Sequence, residues 1–171
     1  MNPTQWLWLP VAAISTTAYA ATYFTTEQAQ QAIFPGKMMT AAFVALSDAQ
    51  ARQIEKASGV NVRTRDVKAW KVEGGGMFVL DEVVGKHEFI SYAVGIGADG
   101  RVVGVEIVDY RESYGYEVRN AEWRAQFIGR SAADPLQLTR DIRNVSGATL
   151  SCKHVTDGVK RVLATYAVAL E

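Results

Sequence analysis

Two stretches limit the fold more than anything else in the sequence: "EFISYAVGI" (88–96) and "RVVGVEIVDY" (101–110). Each alternates or runs apolar over a strand's length, and between them lies Gly97-Ala98-Asp99-Gly100, a short loop of turn residues. An antiparallel hairpin is the expected outcome. Within the second strand, Val103, Val105, Ile107 and Asp109 are expected on one face, with Val102, Glu106, Val108 and Tyr110 on the other. Both faces would then be partly covered. Upstream, "DVKAWKV" (66–72) and "GMFVLDEVV" (76–84) alternate around Gly74-Gly75 and predict two further strands.

Helical periodicity flanks this block. "TEQAQQAIF" (26–34) reads as a short helix stopped by Pro35-Gly36. Ser47 with Gln50 resembles a capping box that opens a helix ending at Ser58-Gly59. Asn120 can cap a short helix carrying Trp123 and Phe127, closed by Gly129. The last helix places Val155, Val159, Val162, Leu163, Tyr166 and Leu170 at helical spacing, with Lys153, Lys160 and Arg161 expected to point elsewhere. The expected fold class is α+β: a small, mostly antiparallel sheet packed by helices, in one domain over 21–171.

Composition removes several function classes. Lys+Arg and Asp+Glu each number 18, so the net charge is zero and no basic face for nucleic acid is expected. One cysteine excludes an intramolecular disulfide, and two histidines leave little for an all-protein metal site. His87 and His154 stand far apart with no Cys-x-x-Cys-His, so both read as ordinary polar residues. Cys152, near a helix start, is a candidate for a lowered pKa, but no base partner marks a cysteine hydrolase. Ser146 lacks a Gly-x-Ser-x-Gly frame, and the chain has no nicotinamide-binding glycine fingerprint.

Residues 1–20, "MNPTQWLWLPVAAISTTAYA", carry no charge. An apolar run from Trp6 to Ile14 precedes Ala18-Tyr19-Ala20, an A-x-A cleavage pattern. A secretory signal cut after Ala20 is expected, hence an extracytoplasmic or periplasmic location. The alternative is a retained membrane anchor, against which Pro10 and the Ser/Thr run make a poor span of about 20 apolar residues.

The chemistry-bearing segment is Ser146-Gly147-Ala148-Thr149, directly before the last helix. A helix N-terminus presents unpaired N–H groups and a partial positive charge, so it favours phosphate. Gly147 and Ala148 leave the backbone approachable, while Ser146, Thr149 and Ser151 offer hydroxyls for hydrogen bonds or covalent attachment. Taken alone, the tetrapeptide also reads as an ordinary capped helix.

Its context resembles a known family. "FISYAVGIGADGRVVGVEIVDYRESYGY", "WRAQFIGR" and "VSGATLSCKHVTDGVKRVL" are similar, in order and spacing, to the FMN-binding domain family. That family includes the flavin-carrying small subunits of the sodium-pumping NADH:quinone oxidoreductase and of the Rnf complex. The resemblance covers 88–163, with 26–58 as a looser helical lead-in. It implies FMN as cofactor, esterified through its phosphate to Thr149 by a separate magnesium-dependent flavin transferase. It also implies electron transfer with membrane redox partner proteins. Ser146, Gly147 and Ala148 would shape the backbone around the phosphate, with Leu150 and Ser151 starting the helix beneath it. Glu112, Tyr114, Gly115 and Tyr116 match a Glu-Thr-Pro-Gly-like segment beside the flavin. Tyr114 and Tyr116 stand open as stacking partners, whereas Tyr92 and Tyr110 on strands read as packing. Arg111, Arg119 and Arg143 read as surface charges. No catalytic residue and no metal ligand is expected.

The sequence departs from the family pattern in three places. Arg143 stands where an Asp three residues before the Ser/Thr is usual, with Asp141 two residues earlier. Ser113-Tyr114 replaces Thr-Pro, and Ser151-Cys152 replaces Thr-Ser. Arg143 is the feature that favours an alternative reading, an exported module that binds FMN or another ligand without covalent attachment.

Overall fold

The computed structural model describes residues 24–171; the signal-like stretch lies outside them. Within the described residues four helices are formed: α1 (Thr26–Ile33), α2 (Asp48–Ser58), α3 (Ala121–Arg124) and α4 (Thr149–Thr165). Six strands are formed: β1 (Met39–Ala41), β2 (Val44–Ala45), β3 (Asp66–Val72), β4 (Met77–Val84), β5 (Phe89–Ile96) and β6 (Val102–Tyr110). The strands pair antiparallel in the order β1-β3-β4-β5-β6, with β2 also on β3. The α+β expectation holds. The first two helices start where local chemistry dictates. Thr25 with Gln28, and Ser47 with Gln50, each form a complete capping box, and α2 ends on Gly59 in the left-handed region. Strands β1 and β2 were not anticipated, being too short to show a period.

The face assignment along β6 is corrected. Tyr110 pairs with Ile90, and Asp109 with Ser91, but Ile107 pairs with Tyr92. Gly104 pairs with Gly95, but Val102 with Ile96. One extra residue of β6 sits at each shift, Val108 and Val103, and each bulge inverts the alternation. Val102, Val105, Ile107 and Tyr110 therefore share the core under α4, while Val103 is exposed and Val108 faces α1.

Helices cover both faces of the sheet. On one, α4 lays Cys152, Val155, Val159, Val162 and Leu163 over Val79, Val83, Ile90, Tyr92 and Val94. Gly158 lets it settle close: a Cβ there would meet the Tyr92 ring carbon at 2.7 Å. On the other face α1 sits over Phe78, Ala93 and Val108, and the paired Gly95 and Gly104 leave room for Ile33 and Phe34. Each fully buried Leu, Ile or Val contributes about 1.5–3 kcal/mol of transfer free energy.

Arg161 does not point away from the core. It is 7% exposed and reaches from α4 to β4, donating to Asp81 Oδ2 (2.6 Å) and the Glu82 carbonyl (2.9 Å), and to the Asn61 carbonyl (3.3 Å). Tyr92 OH donates to the same Asp81 oxygen at 2.6 Å. Burial, with the Asp81 charge behind it, pushes the Tyr92 hydroxyl pKa well up. Burial works to lower the Arg161 pKa, but Tyr92 and Asp81 outweigh it. β3 and β4 end their pairing at Lys68–Leu80, and β3 turns to β2, so Arg161 takes the ladder position that β3 vacates. Among the described residues, no helix is long and apolar enough to cross a membrane.

Candidate functional site: the start of α4 and the 110–117 loop

The segment before α4 is held by α3. Trp123, stacked edge-on against Phe127 at 5.2 Å, donates from Nε1 to the Arg143 carbonyl at 2.8 Å. Gln126 Oε1 accepts from the Arg143 backbone N–H at 2.8 Å and from its Nε at 3.4 Å. α3 itself is tied to β6 by Arg124, which donates to the Val105 carbonyl at 2.6 Å and pairs with Glu106. Asp141 accepts from the backbone N–H groups of Leu136 (3.1 Å) and Gln137 (2.6 Å), fixing the loop upstream. The chain therefore enters 144–149 from a pinned position.

There the backbone turns. Gly147 has φ +87°, a conformation that L side chains rarely adopt, and Ala148 N–H returns to the Val145 carbonyl at 3.1 Å. Ala148 is buried and begins α4 without any side-chain cap. The first N–H groups of the helix thus have no side-chain acceptor, and they stand beside an exposed glycine. Ser146, Thr149 and Leu150 are all exposed. Thr149 Oγ1 accepts a hydrogen bond from Asn144 Nδ2 at 2.7 Å, which orients the hydroxyl. Ser151 is different. It is buried, and its Oγ lies 3.0 Å from Tyr110 OH, turned from the open side.

That contact joins the second part of the site. Tyr110 OH also donates to the Tyr114 carbonyl, and Gly115, at φ +87°, packs into the same corner. A Cβ on Gly115 would stand 2.7 Å from both Ser151 Oγ and Tyr110 OH, so the loop closes on α4 only because this residue has none. Burial pushes the Tyr110 hydroxyl pKa up, against the Ser151 hydrogen bond, with Glu112 and Glu117 adding to the rise. Tyr110 is a buried brace, and Tyr92 is likewise packed. Tyr114 and Tyr116 are 82% and 58% exposed and stand open beside the loop.

Glu112 lies on the same loop, but its carboxylate is engaged elsewhere. It accepts from His87 N–H (2.6 Å) and Glu88 N–H (3.0 Å) in the β4–β5 turn. Burial works to raise its pKa, but the backbone N–H groups of Glu88, His87 and Lys86 outweigh this and hold it below the usual glutamate value. The structure thus brings Tyr114, Gly115 and Tyr116 to the start of α4, and gives the Glu112 side chain a turn-capping role. The lowered-pKa expectation for Cys152 is corrected: the thiol is buried, and burial pushes its pKa up. Sequence reasoning missed Asn144 and Glu117. Only the contacts of the folded chain single them out.

A partly open pocket of about 200 Å³ lies elsewhere, lined by Arg63, Lys68, Phe89 and Arg161 among others. Arg161 is three turns further along α4, roughly 18 Å from Thr149. The start of α4 is an open surface, which suits attachment of a group better than its enclosure.

Comparison with known proteins falls on the same segment. Residues 85–164 match the model of the FMN-binding domain. The resemblance to that family is therefore carried by β5, β6, α3 and nearly all of α4, and the cofactor it points to is FMN. A stretch of 86 residues is 29% identical to a component of the Na(+)-translocating ferredoxin:NAD(+) oxidoreductase complex of Acetobacterium woodii. It covers 45% of this chain and 42% of that component, so the chain spans less than half the length of this curated relative. The residues at the start of α4 fit the FMN-binding domain's phosphate: uncapped N–H groups, an approachable glycine and an exposed hydroxyl.

Proposed function

We propose that this chain is an exported electron-transfer flavoprotein. It carries one FMN as a phosphoester on Thr149, installed by a separate magnesium-dependent flavin transferase, and exchanges electrons with membrane redox partner proteins. The observation that carries the reading is the uncapped start of α4 with an exposed Thr149 hydroxyl, inside the segment that matches the FMN-binding domain. The relative's place in a ferredoxin:NAD(+) oxidoreductase complex supports electron transfer here.

FMN, when bound, supplies one- and two-electron redox chemistry. The chain supplies the rest. Ser146, Gly147 and Ala148 form the turn against the phosphate, and the N–H groups of Thr149 and Leu150 face its charge. Asn144 holds the Thr149 oxygen toward solvent, where a transferase can reach it. Tyr114, Tyr116 and Leu150 offer exposed apolar surface for the isoalloxazine ring. Ser151, Gly115 and Tyr110 keep that surface beside the helix start.

A second reading, reversible FMN binding without the ester, is favoured by Arg143 in the place of the family's aspartate. The two are separated by the intact mass of the chain made in an exporting host with and without a co-expressed flavin transferase. An FMN adduct that needs the transferase and disappears in Thr149→Ala is expected. An unmodified chain under both conditions would transfer the case to reversible binding.

A further inference from the structure

Among the described residues, three buried side-chain atoms lack a hydrogen-bond partner: Asp109 Oδ1, Glu117 Oε2 and His154 Nδ1. Asp109 keeps its other oxygen on Arg111 at 2.8 Å, and His154 Nδ1 has no hydrogen bond that joins it to the start of α4. Glu117 differs from both. Its other oxygen, Oε1, lies 3.9 Å from where a Cβ on Gly147 would stand, so the carboxylate borders the turn in front of α4. Its charge also contributes to the raised pKa of Tyr110 and of Cys152, which places it within electrostatic reach of both walls of the site.

A buried carboxylate oxygen without a donor is costly, and a donor that arrives with a ligand at the turn would reach this carboxylate through Oε1, the oxygen beside Gly147. A fully ionised phosphate ester brings none and is repelled by the carboxylate. FMN carries two kinds of donor. One is the ring N3–H, at the far edge of the isoalloxazine. The others are the hydroxyls of the ribityl chain, which begin one carbon from the phosphoester carbon. Gly147 belongs to the turn that meets the phosphate, so a group beside Gly147 reaches the hydroxyls and not the ring edge.

We infer that Glu117 accepts hydrogen bonds from the ribityl hydroxyls nearest the phosphate of FMN, and so selects a phosphorylated polyol over a phosphate ester whose chain has no hydroxyls. This rests on the FMN reading above. The selection has two sides: hydroxyl donors are rewarded by a charge-assisted bond, and phosphates that bring no donor meet an uncompensated negative charge.

The test uses the full chain made without a flavin transferase. It is titrated by calorimetry with FMN and with a flavin whose five-carbon chain carries the phosphate but no hydroxyls. The wild type is expected to bind FMN roughly tenfold or more tightly than the hydroxyl-free analogue, the scale of one hydrogen bond to a charged group. Glu117→Ala should bring the ratio near one, and Glu117→Gln, whose amide oxygen still accepts, should restore most of it. The unfolding midpoint of ligand-free Glu117→Ala should equal or exceed that of the wild type, because the substitution removes an orphaned carboxylate. Equal ratios in wild type and Glu117→Ala overturn the inference and leave the FMN reading standing. A lowered midpoint with an unchanged ratio overturns it in favour of a structural role. Absence of binding by either flavin overturns the FMN reading and the inference with it.

Discussion

Glu112 and Glu117 share one loop and do opposite things with the same functional group. Glu117 has an oxygen with no donor; Glu112 has its carboxylate on two backbone N–H groups of the β4–β5 turn. The Glu112 bonds have a pH signature. Its pKa in the folded chain lies below the usual glutamate value, so its contribution is fully present above the unfolded value of about 4.3. That contribution is lost as pH falls through the lower, folded value, where the unfolded chain already holds the proton. Glu112→Gln, which does not titrate, should therefore lose its stability deficit against the wild type as pH falls from about 5 toward 3. Urea denaturation of both proteins across that window checks it, and a deficit that stays constant would remove the turn-capping role.

At the scale of elements, α4 is joined to the sheet by apolar contact and by one buried ion pair. The side chains of Arg161 and Asp81 are 8% and 19% exposed, and Tyr92 shares the Asp81 oxygen. Arg161→Met leaves Asp81 charged and without its cation in a largely buried position, with an expected cost of about 3 kcal/mol. Adding Asp81→Asn removes that charge, and the double variant should recover a large part of the loss. Equilibrium urea unfolding of the three proteins measures the recovery; equal costs for single and double variants would show that the charge was never the issue. Arg161 also shows where reading a sequence stops. Its place on α4 was legible from the period, but which face it joined depended on β3 pairing with β4 only from Lys68 onward. The Ser47–Gln50 capping box and the central strands were legible because their signals are local. The bulges at Val108 and Val103 were not, since an extra residue shows only against a partner strand. For the site, the order Ser-Gly-Ala-Thr and the loop before it were readable as a pattern. The turning of Ser151 toward Tyr110, and of Glu112 toward the β4–β5 turn, came from contacts 41 and 25 residues apart in sequence.

At the scale of the molecule, the family match and the folding unit have different boundaries. The match begins at residue 85, after β4. Within it, β5 has lost its long antiparallel partner, which pairs from Met77–Ile96 through to Val84–Phe89. The α1 face of the sheet loses Phe78 and Ala29, which lie against Ala93 and Val108, and α4 loses Val79, Val83 and the Asp81 partner of Arg161. A two-stranded ribbon under one helix exposes two apolar faces that the full chain covers, and two strands are too few for independent stability in water. The fragment 85–164 is therefore expected to show no cooperative thermal transition by circular dichroism and poor amide dispersion by NMR, whereas 24–171 should show both a single transition and a dispersed spectrum. If the fragment alone unfolds cooperatively, residues 24–84 are an appendage to the FMN-binding segment. If it does not, they are half of its core, and the start of α4 owes its geometry to strands that lie outside the family match.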